Sequence, residues 1–267
     1  MKHYLIHPTW QCQNSCSYCW VENTIRNRPD LFNAPPATIC EWNTALLRDT
    51  PDAVHIAGGE PFLSPVTIPL IEAWGDVVEF SLSTNGLCTN QIDILTNHSH
   101  LSKLTSVNVS YHPEQITLEK QSRHLHTISA LQEHGYEVIV NIVNYQNNIY
   151  DSFQYLRNLK ALGVNVVISP YEDSSCLHTL THNPLQCQAG ITHLVIAPDG
   201  RAWPCLTTLR SPFYPVYCLG NWIDGLPEDI STHVPYPCYL DCHDYKLKRE
   251  HIGGDIWGTN PTPYSEP

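Results

Sequence analysis

A chain of 267 residues is long enough to bury the core of one sizeable domain, with or without a small appendage. Its 26 acidic residues against 14 basic ones give a net charge of −12, which disfavours binding to a nucleic-acid backbone. No apolar stretch reaches the length of a membrane span, and a strand-like run starts within the first few residues. We therefore expect a cytoplasmic protein with no signal peptide, membrane partner or nucleic-acid partner.

Strand-like and helix-like segments alternate along the first 170 residues. This alternation predicts an α/β fold with a parallel sheet and six β/α units. In such sheets, ligand sites lie at the carboxyl ends of the strands, so residues just after each strand are the site candidates. The predicted strands are 4–6, 53–57, 77–82, 106–110, 137–143 and 165–169, and the predicted helices are 39–47, 66–74, 91–104, 118–133 and 152–162.

Three cysteines follow the first predicted strand, in the pattern Cys12-x-x-x-Cys16-x-x-Cys19. Three thiolates on one loop can hold three irons of a 4Fe-4S cluster and leave the fourth iron without a protein ligand. A zinc knuckle or a purely structural site is the alternative. Zinc sites usually close with four ligands, however, and no Cys or His follows Cys19 within a turn or two.

The cysteine pattern, with the aromatic Tyr18 before its third cysteine, resembles the signature of the radical S-adenosylmethionine (AdoMet) enzymes. The resemblance implies an open, partial (β/α)6 barrel, here residues 1–175, in which AdoMet chelates the open iron of the cluster. It also implies that an electron from the reduced cluster cleaves AdoMet to a 5′-deoxyadenosyl radical, which abstracts hydrogen from a substrate carbon. A flavodoxin- or ferredoxin-type protein would donate the electron.

The segment after the second strand, Gly58-Gly59-Glu60-Pro61, resembles the Gly-Gly-Glu motif of that family, which contacts the methionine amino group of AdoMet. Taken alone, it could be a simple turn. Ser83 and Asn85 follow the third strand in Ser-Thr-Asn-Gly, which resembles a cofactor-side element of the family but is also typical of a capped turn.

Strands four and five each offer one further candidate for the cofactor site. Ser110 resembles the serine of the family that contacts the ribose. Asn141 could face the barrel mouth, or it could face a helix instead.

Loops after the fourth and sixth strands carry candidates for catalysis. His112 and Glu172 lie where a proton acceptor would be, although solvated loop residues are the alternative. Cys176 could return a hydrogen atom to a substrate radical, as in some epimerases of the family, or it could be inert. Cys40 and Cys88 lie on predicted helical segments and are expected to pack as small hydrophobic residues.

A second cysteine group lies in residues 176–245, around a hairpin predicted by Asp199-Gly200. The group resembles the twitch and SPASM extensions of the family, which hold auxiliary 4Fe-4S clusters. One such cluster, or alternatively a zinc ion, would be held by Cys187, Cys205, Cys238 and Cys242. Cys218 could replace one of these ligands or simply pack. Residues 246–267 are expected to form a tail.

The resemblance implies a peptide or small natural-product substrate that is oxidised, crosslinked or epimerised. A non-catalytic metal-binding or electron-transfer protein, with structural cysteine sites, is the alternative.

Overall fold

The computed structural model describes residues 2–97, 103–144, 153–170, 189–190, 192–211 and 213–227. Several of the predicted site residues lie outside these ranges, as does the predicted tail, and their roles stay predictions. They are Glu172, Cys176, Cys187, Cys238 and Cys242.

The described strands form one nine-stranded sheet, which confirms the predicted α/β class. They are β1 (His3–Ile6), β2 (Ala53–Ile56), β3 (Glu79–Thr84), β4 (Leu104–Tyr111), β5 (Val138–Asn144), β6 (Asn165–Pro170), β7 (His193–Ile196), β8 (Arg201–Trp203) and β9 (Gly220–Asn221). Their order across the sheet is β6-β5-β4-β3-β2-β1-β7-β8-β9. The neighbours from β6 to β7 are parallel, so the carboxyl ends of the first six strands share one edge.

Helices connect the parallel strands, as the predicted β/α alternation requires. Short helical turns at Val21–Ile25, Pro61–Leu63 and Pro113–Gln115 follow β1, β2 and β4. The α-helices are α1 (Pro29–Phe32), α2 (Ile39–Arg48), α3 (Thr67–Trp74), α4 (Thr89–Asn97), α5 (Leu118–Glu133), α6 (Phe153–Ala161) and α7 (Leu206–Arg210). None of the helices in the described ranges is both long and apolar enough to cross a membrane.

Two predicted boundaries were wrong. The helix predicted over 91–104 ends at Asn97 within the described residues, and Leu104 already belongs to β4, where it pairs with Phe80. The strand predicted over 77–82 begins at Glu79, because the N–H groups of Val77 and Val78 donate to the carbonyl of Trp74 and close the end of α3. Apolar residues suit a helix face and a strand face equally, so local pattern did not separate the two.

The two faces of the sheet differ in polarity. Alternate residues of each strand point to opposite faces, and the apolar set packs in one core with α2 to α6. In β4 this set is Val107, Val109 and Tyr111, so Ser106 and Asn108 belong to the opposite face, called the inner face below. A second, smaller core covers the inner face beside β1 and β7 and includes Leu5, Trp10, Val195, Trp203 and Leu209.

The hairpin predicted at Asp199-Gly200 is confirmed. Strands β7 and β8 pair antiparallel, and Gly200 between them has a φ of +86°. The hairpin joins the barrel sheet directly, because β7 pairs in parallel with β1. The proposed domain boundaries at 175 and 245 stay predictions.

We predict that Gly200→Ala destabilises the protein more than the control Gly135→Ala. Both glycines have positive φ, so each alanine introduces about 1–2 kcal/mol of left-handed strain. A Cβ on Gly200 would also lie 2.5 Å from Oδ1 of Asn221, whereas a Cβ on Gly135 meets nothing within 4 Å. Denaturant unfolding of both variants measures the difference, and equal losses of unfolding free energy would contradict the packing argument.

Candidate active site

The Cys loop, residues 12–19, leaves the carboxyl end of β1 and is held first by the loop after β2. Gly59 donates its N–H to the carbonyl of Thr9 at 3.0 Å, and Glu60 donates to the carbonyl of Gln11 at 2.7 Å. A Cβ on Gly59 would lie 2.1 Å from the Gln11 oxygen, and one on Gly58 would lie 2.5 Å from the Thr9 oxygen. The glycines are therefore required by the protein's own backbone, while their predicted contact with AdoMet stays a prediction.

The side chain of Glu60 joins the loop after β2 to the loop after β3. It is fully buried, and its carboxylate accepts hydrogen bonds from the Asn85 N–H at 2.7 Å, the Thr84 hydroxyl at 2.8 Å and the Phe62 N–H at 3.2 Å. Burial raises the pKa of Glu60 to about 7, and the hydrogen bonds oppose that shift. The predicted partner of this carboxylate, the amino group of AdoMet, would add a positive charge that favours its ionised form.

Asn85 connects this buried carboxylate to the first cysteine. Its Nδ2 lies 3.6 Å from Sγ of Cys12, and the backbone N–H of Asn14 lies 3.4 Å from the same sulfur. Gln13 reaches back from the Cys loop, donating from Nε2 to Asn85 Oδ1 at 3.1 Å and to Cys88 Sγ at 3.5 Å. Cys88 packs partly against the core, as expected, but its sulfur also faces the site, which the sequence did not indicate.

A second set of contacts holds the middle of the Cys loop from the segment after β4. Ser17 donates from its N–H and its hydroxyl to the two carboxylate oxygens of Glu114, at 2.6 and 2.8 Å. Gln115 accepts from the Ser15 N–H at 3.3 Å and donates to the Ser15 carbonyl at 3.2 Å. We call Glu114 and Gln115 the loop clamp. No local sequence pattern indicated this role.

His112, one of the predicted catalytic residues, also meets the Cys loop. Its Nδ1 lies 2.8 Å from the hydroxyl of Tyr18. Burial lowers the pKa of His112 to about 4, so the ring is neutral near neutral pH and carries one N–H. Nδ1 is thereby occupied, and any proton transfer by this ring would use Nε2.

Of the three loop cysteines, Cys16 is buried and Cys12 and Cys19 are half-buried. Burial raises the pKa of Cys16 to about 12, and it raises the pKa of Cys12 and Cys19 in the same direction. Iron binding would therefore displace their protons. Among the described residues, no three His, Cys, Asp or Glu side chains are grouped so as to hold a metal ion. The assignment of the three cysteines thus depends on their pattern, their place after β1 and the N–H donors around Cys12.

The remaining predicted cofactor residues lie on the inner face of the sheet. The hydroxyl of Ser83 is 2.9 Å from Nε2 of His55, on the neighbouring strand. Ser110 pairs in register with Asn141 across β4 and β5, and both are half-buried.

Two cysteines of the second group are described. Cys205 lies just after β8, where its N–H donates to the Thr208 hydroxyl at 3.2 Å. Cys218 lies just before β9, where its thiol donates to the Gly220 carbonyl at 3.7 Å. The auxiliary-cluster role of Cys205 stays a prediction.

Gly59→Ala should lower the reconstituted iron by about the four irons assigned to the Cys loop, because the added Cβ pushes that loop away from the loop after β2. Gly163→Ala is the control, since a Cβ there meets nothing within 4 Å and the variant therefore adds an alanine without a clash. Iron and sulfide analysis after anaerobic reconstitution gives the comparison. Parental iron content in Gly59→Ala would refute the steric role.

Glu114→Gln should release iron to a chelator severalfold faster than the parent, because the new amide can accept only one of the two Ser17 hydrogen bonds. Glu119→Gln is the control, as Glu119 pairs with Arg123 on the surface of α5. The decay of iron–sulfur absorbance with time measures release. Equal decay in both variants would show that the loop clamp does not retain the cluster.

No protein-family model matches the chain, and no curated protein matches it significantly in sequence. Solved structures do match. Hexahistidine-tagged anSMEcpe with bound AdoMet is 15% identical over 86% of this chain and 79% of that chain, with a TM-score of 0.58. Native anSMEcpe with bound AdoMet and the Cp18Cys peptide is 15% identical over 85% and 79%, with a TM-score of 0.56. anSMEcpe is a radical AdoMet enzyme, and this chain has the fold of the radical AdoMet enzymes.

Proposed function

We propose that the protein is a radical AdoMet enzyme with a 4Fe-4S cluster on Cys12, Cys16 and Cys19. The observation that carries the proposal is the position of the Cys loop. It lies at the carboxyl ends of β1 to β3, packed on Gly58 and Gly59 and bonded to Asn85, in a sheet with the fold of these enzymes.

The donor set suits an iron–sulfur cluster. Thiolates are the usual ligands of such clusters, and hydrogen bonds to the sulfurs tune their potential. Cys12 receives N–H groups from Asn14 and Asn85, which stabilise negative charge on its sulfur. When bound, the cluster would supply the electron that cleaves AdoMet and so starts hydrogen abstraction from a substrate carbon.

The chain's own residues would bind and orient the cofactor. Glu60 would accept from the AdoMet amino group, beside Gly58 and Gly59. Its carboxylate is prealigned for this because three neighbouring donors fix it. Side chains at the carboxyl ends of the following strands would complete the site, and they are Ser83, Asn85, Ser110 and Asn141.

The substrate would be a peptide or a small natural product that is oxidised, crosslinked or epimerised. Support for a peptide comes from the similarly folded anSMEcpe, which has been solved with the Cp18Cys peptide. An auxiliary 4Fe-4S cluster would take an electron in the oxidative outcomes, held by Cys187, Cys205, Cys238 and Cys242. In this proposal the enzyme works in the cytoplasm with a flavodoxin- or ferredoxin-type donor.

Three residues are proposed for proton and hydrogen transfer. His112 and Glu172 would accept protons near the substrate. His112 would do so through Nε2, in the tautomer whose Nδ1–H donates to the Tyr18 hydroxyl. Cys176 would return a hydrogen atom in the epimerisation outcome.

The test compares the parent with the Cys12/Cys16/Cys19→Ala triple variant after anaerobic reconstitution, with Cys40→Ala as control. Cys40 was expected to pack as a small hydrophobic residue, which is wrong, because it is exposed on α2. We expect the parent to bind AdoMet and form 5′-deoxyadenosine with dithionite, and the triple variant to do neither. If the parent holds about eight irons and the variant about four, an auxiliary 4Fe-4S cluster is present. A reconstituted parent that binds no AdoMet would overturn the proposal in favour of a non-catalytic metal-binding or electron-transfer protein.

A further inference from the structure

The inner face, as far as the described strands show it, is mostly polar on β2 to β4, whereas on β5 the polar Asn141 lies between Ile139 and Val143. Its central positions hold no Asp, Glu, Lys or Arg. The helix-facing positions Phe80, Leu82, Val107 and Val109 are apolar and buried, so the intervening residues face inward. These inner residues include His55, Ser81, Ser83, Ser106, Ser110 and Asn141.

The polar groups nearest β2 already have partners. His55 is buried, and its two ring nitrogens lie 2.6 Å from the Ser81 hydroxyl and 2.9 Å from the Ser83 hydroxyl. Both serines are half-buried. This part of the inner face is thus a fixed hydrogen-bonded layer.

Asn108 differs from these neighbours. It pairs in register with Ser83 on one side and Ile139 on the other, and its side chain is only 4% exposed. Its Oδ1 is buried and has no hydrogen-bond partner among the described residues. Buried polar atoms in proteins are nearly always hydrogen-bonded, because an unpaired one loses its bonds to water without replacement. A bound molecule with a donor would supply the missing bond.

We propose that Asn108 is a substrate-recognition residue whose Oδ1 accepts a hydrogen bond from an uncharged N–H or O–H group, such as a peptide amide. A charged group would lose its hydration beside Asn108, whose register neighbours Ser83 and Ile139 offer no opposite charge, so this position disfavours an ammonium or a carboxylate. The inference rests on the proposed function, because it assumes that the barrel interior holds the substrate, and it adds the chemical class of the substrate group.

A matched pair of amides tests the inference directly. N-Methylacetamide has an N–H donor, and N,N-dimethylacetamide lacks it but keeps the carbonyl. Saturation-transfer NMR on the reconstituted, AdoMet-loaded protein would compare their binding to the parent, to Asn108→Leu and to Asn108→Ser. Asn33→Leu, at a position away from this face on the end of α1, is the control variant. AdoMet binding to each protein is measured separately.

The parent and Asn33→Leu should prefer N-methylacetamide about threefold to tenfold, the range of one neutral hydrogen bond, and Asn108→Leu should lose that preference. If Asn108→Leu does not fold, loss of the preference in Asn108→Ser supports the inference, and its retention there overturns it. A parent that binds AdoMet but shows no preference overturns the inference and leaves the proposed function standing. A reconstituted parent that binds no AdoMet refutes the proposed function, and the substrate role of Asn108 falls with it even where the amide preference is seen.

Discussion

The candidate site depends on a close backbone contact between the loop after β2 and residues 9–11, which leaves no room for a side chain. Gly58 and Gly59 lie so close to residues 9–11 that a methyl group on either would overlap a carbonyl oxygen. The N–H groups of Gly59 and Glu60 bond to that same stretch, which leads directly into Cys12. Because this contact fixes where the Cys loop starts, the other contacts of the loop can form only when it is in place.

Glu60 connects the Cys loop to the end of β3. Its backbone belongs to the contact with the Cys loop, and its buried carboxylate binds Thr84 and Asn85 after the next strand. Asn85 in turn reaches the sulfur of Cys12. A closed path of contacts therefore runs through the ends of β1, β2 and β3. Burying a carboxylate costs free energy unless it accepts hydrogen bonds. The bonds from Thr84 and Asn85 offset that cost for Glu60 and also connect the loops after β2 and β3.

Local sequence patterns predicted the parts of the structure that depend on local chemistry. Strand and helix alternation predicted the β/α order, and Asp199-Gly200 predicted the hairpin turn. Long-range partners were beyond such patterns: nothing near Ser17 indicates that its partner is Glu114, 97 residues away. For the same reason the turn was predictable while the pairing of β7 with β1 was not. Similarly, Gly58 and Gly59 were expected to approach a ligand, yet the closest atoms belong to the chain leading into the Cys loop.

Three of the supports of the Cys loop differ in how far they can yield. Backbone packing at Gly58 and Gly59 has no rotamers through which to adjust, so the start of the loop is fixed. The amide contacts of Asn85 and Gln13 are partly buried and hold Cys12 from one side. The loop clamp consists of exposed side-chain bonds, which water can replace at low cost. The loop is thus fixed where it leaves β1 and adjustable around Ser15 and Ser17, so a rearrangement that a bound group requires falls first on these two serines rather than on the Tyr18–His112 contact.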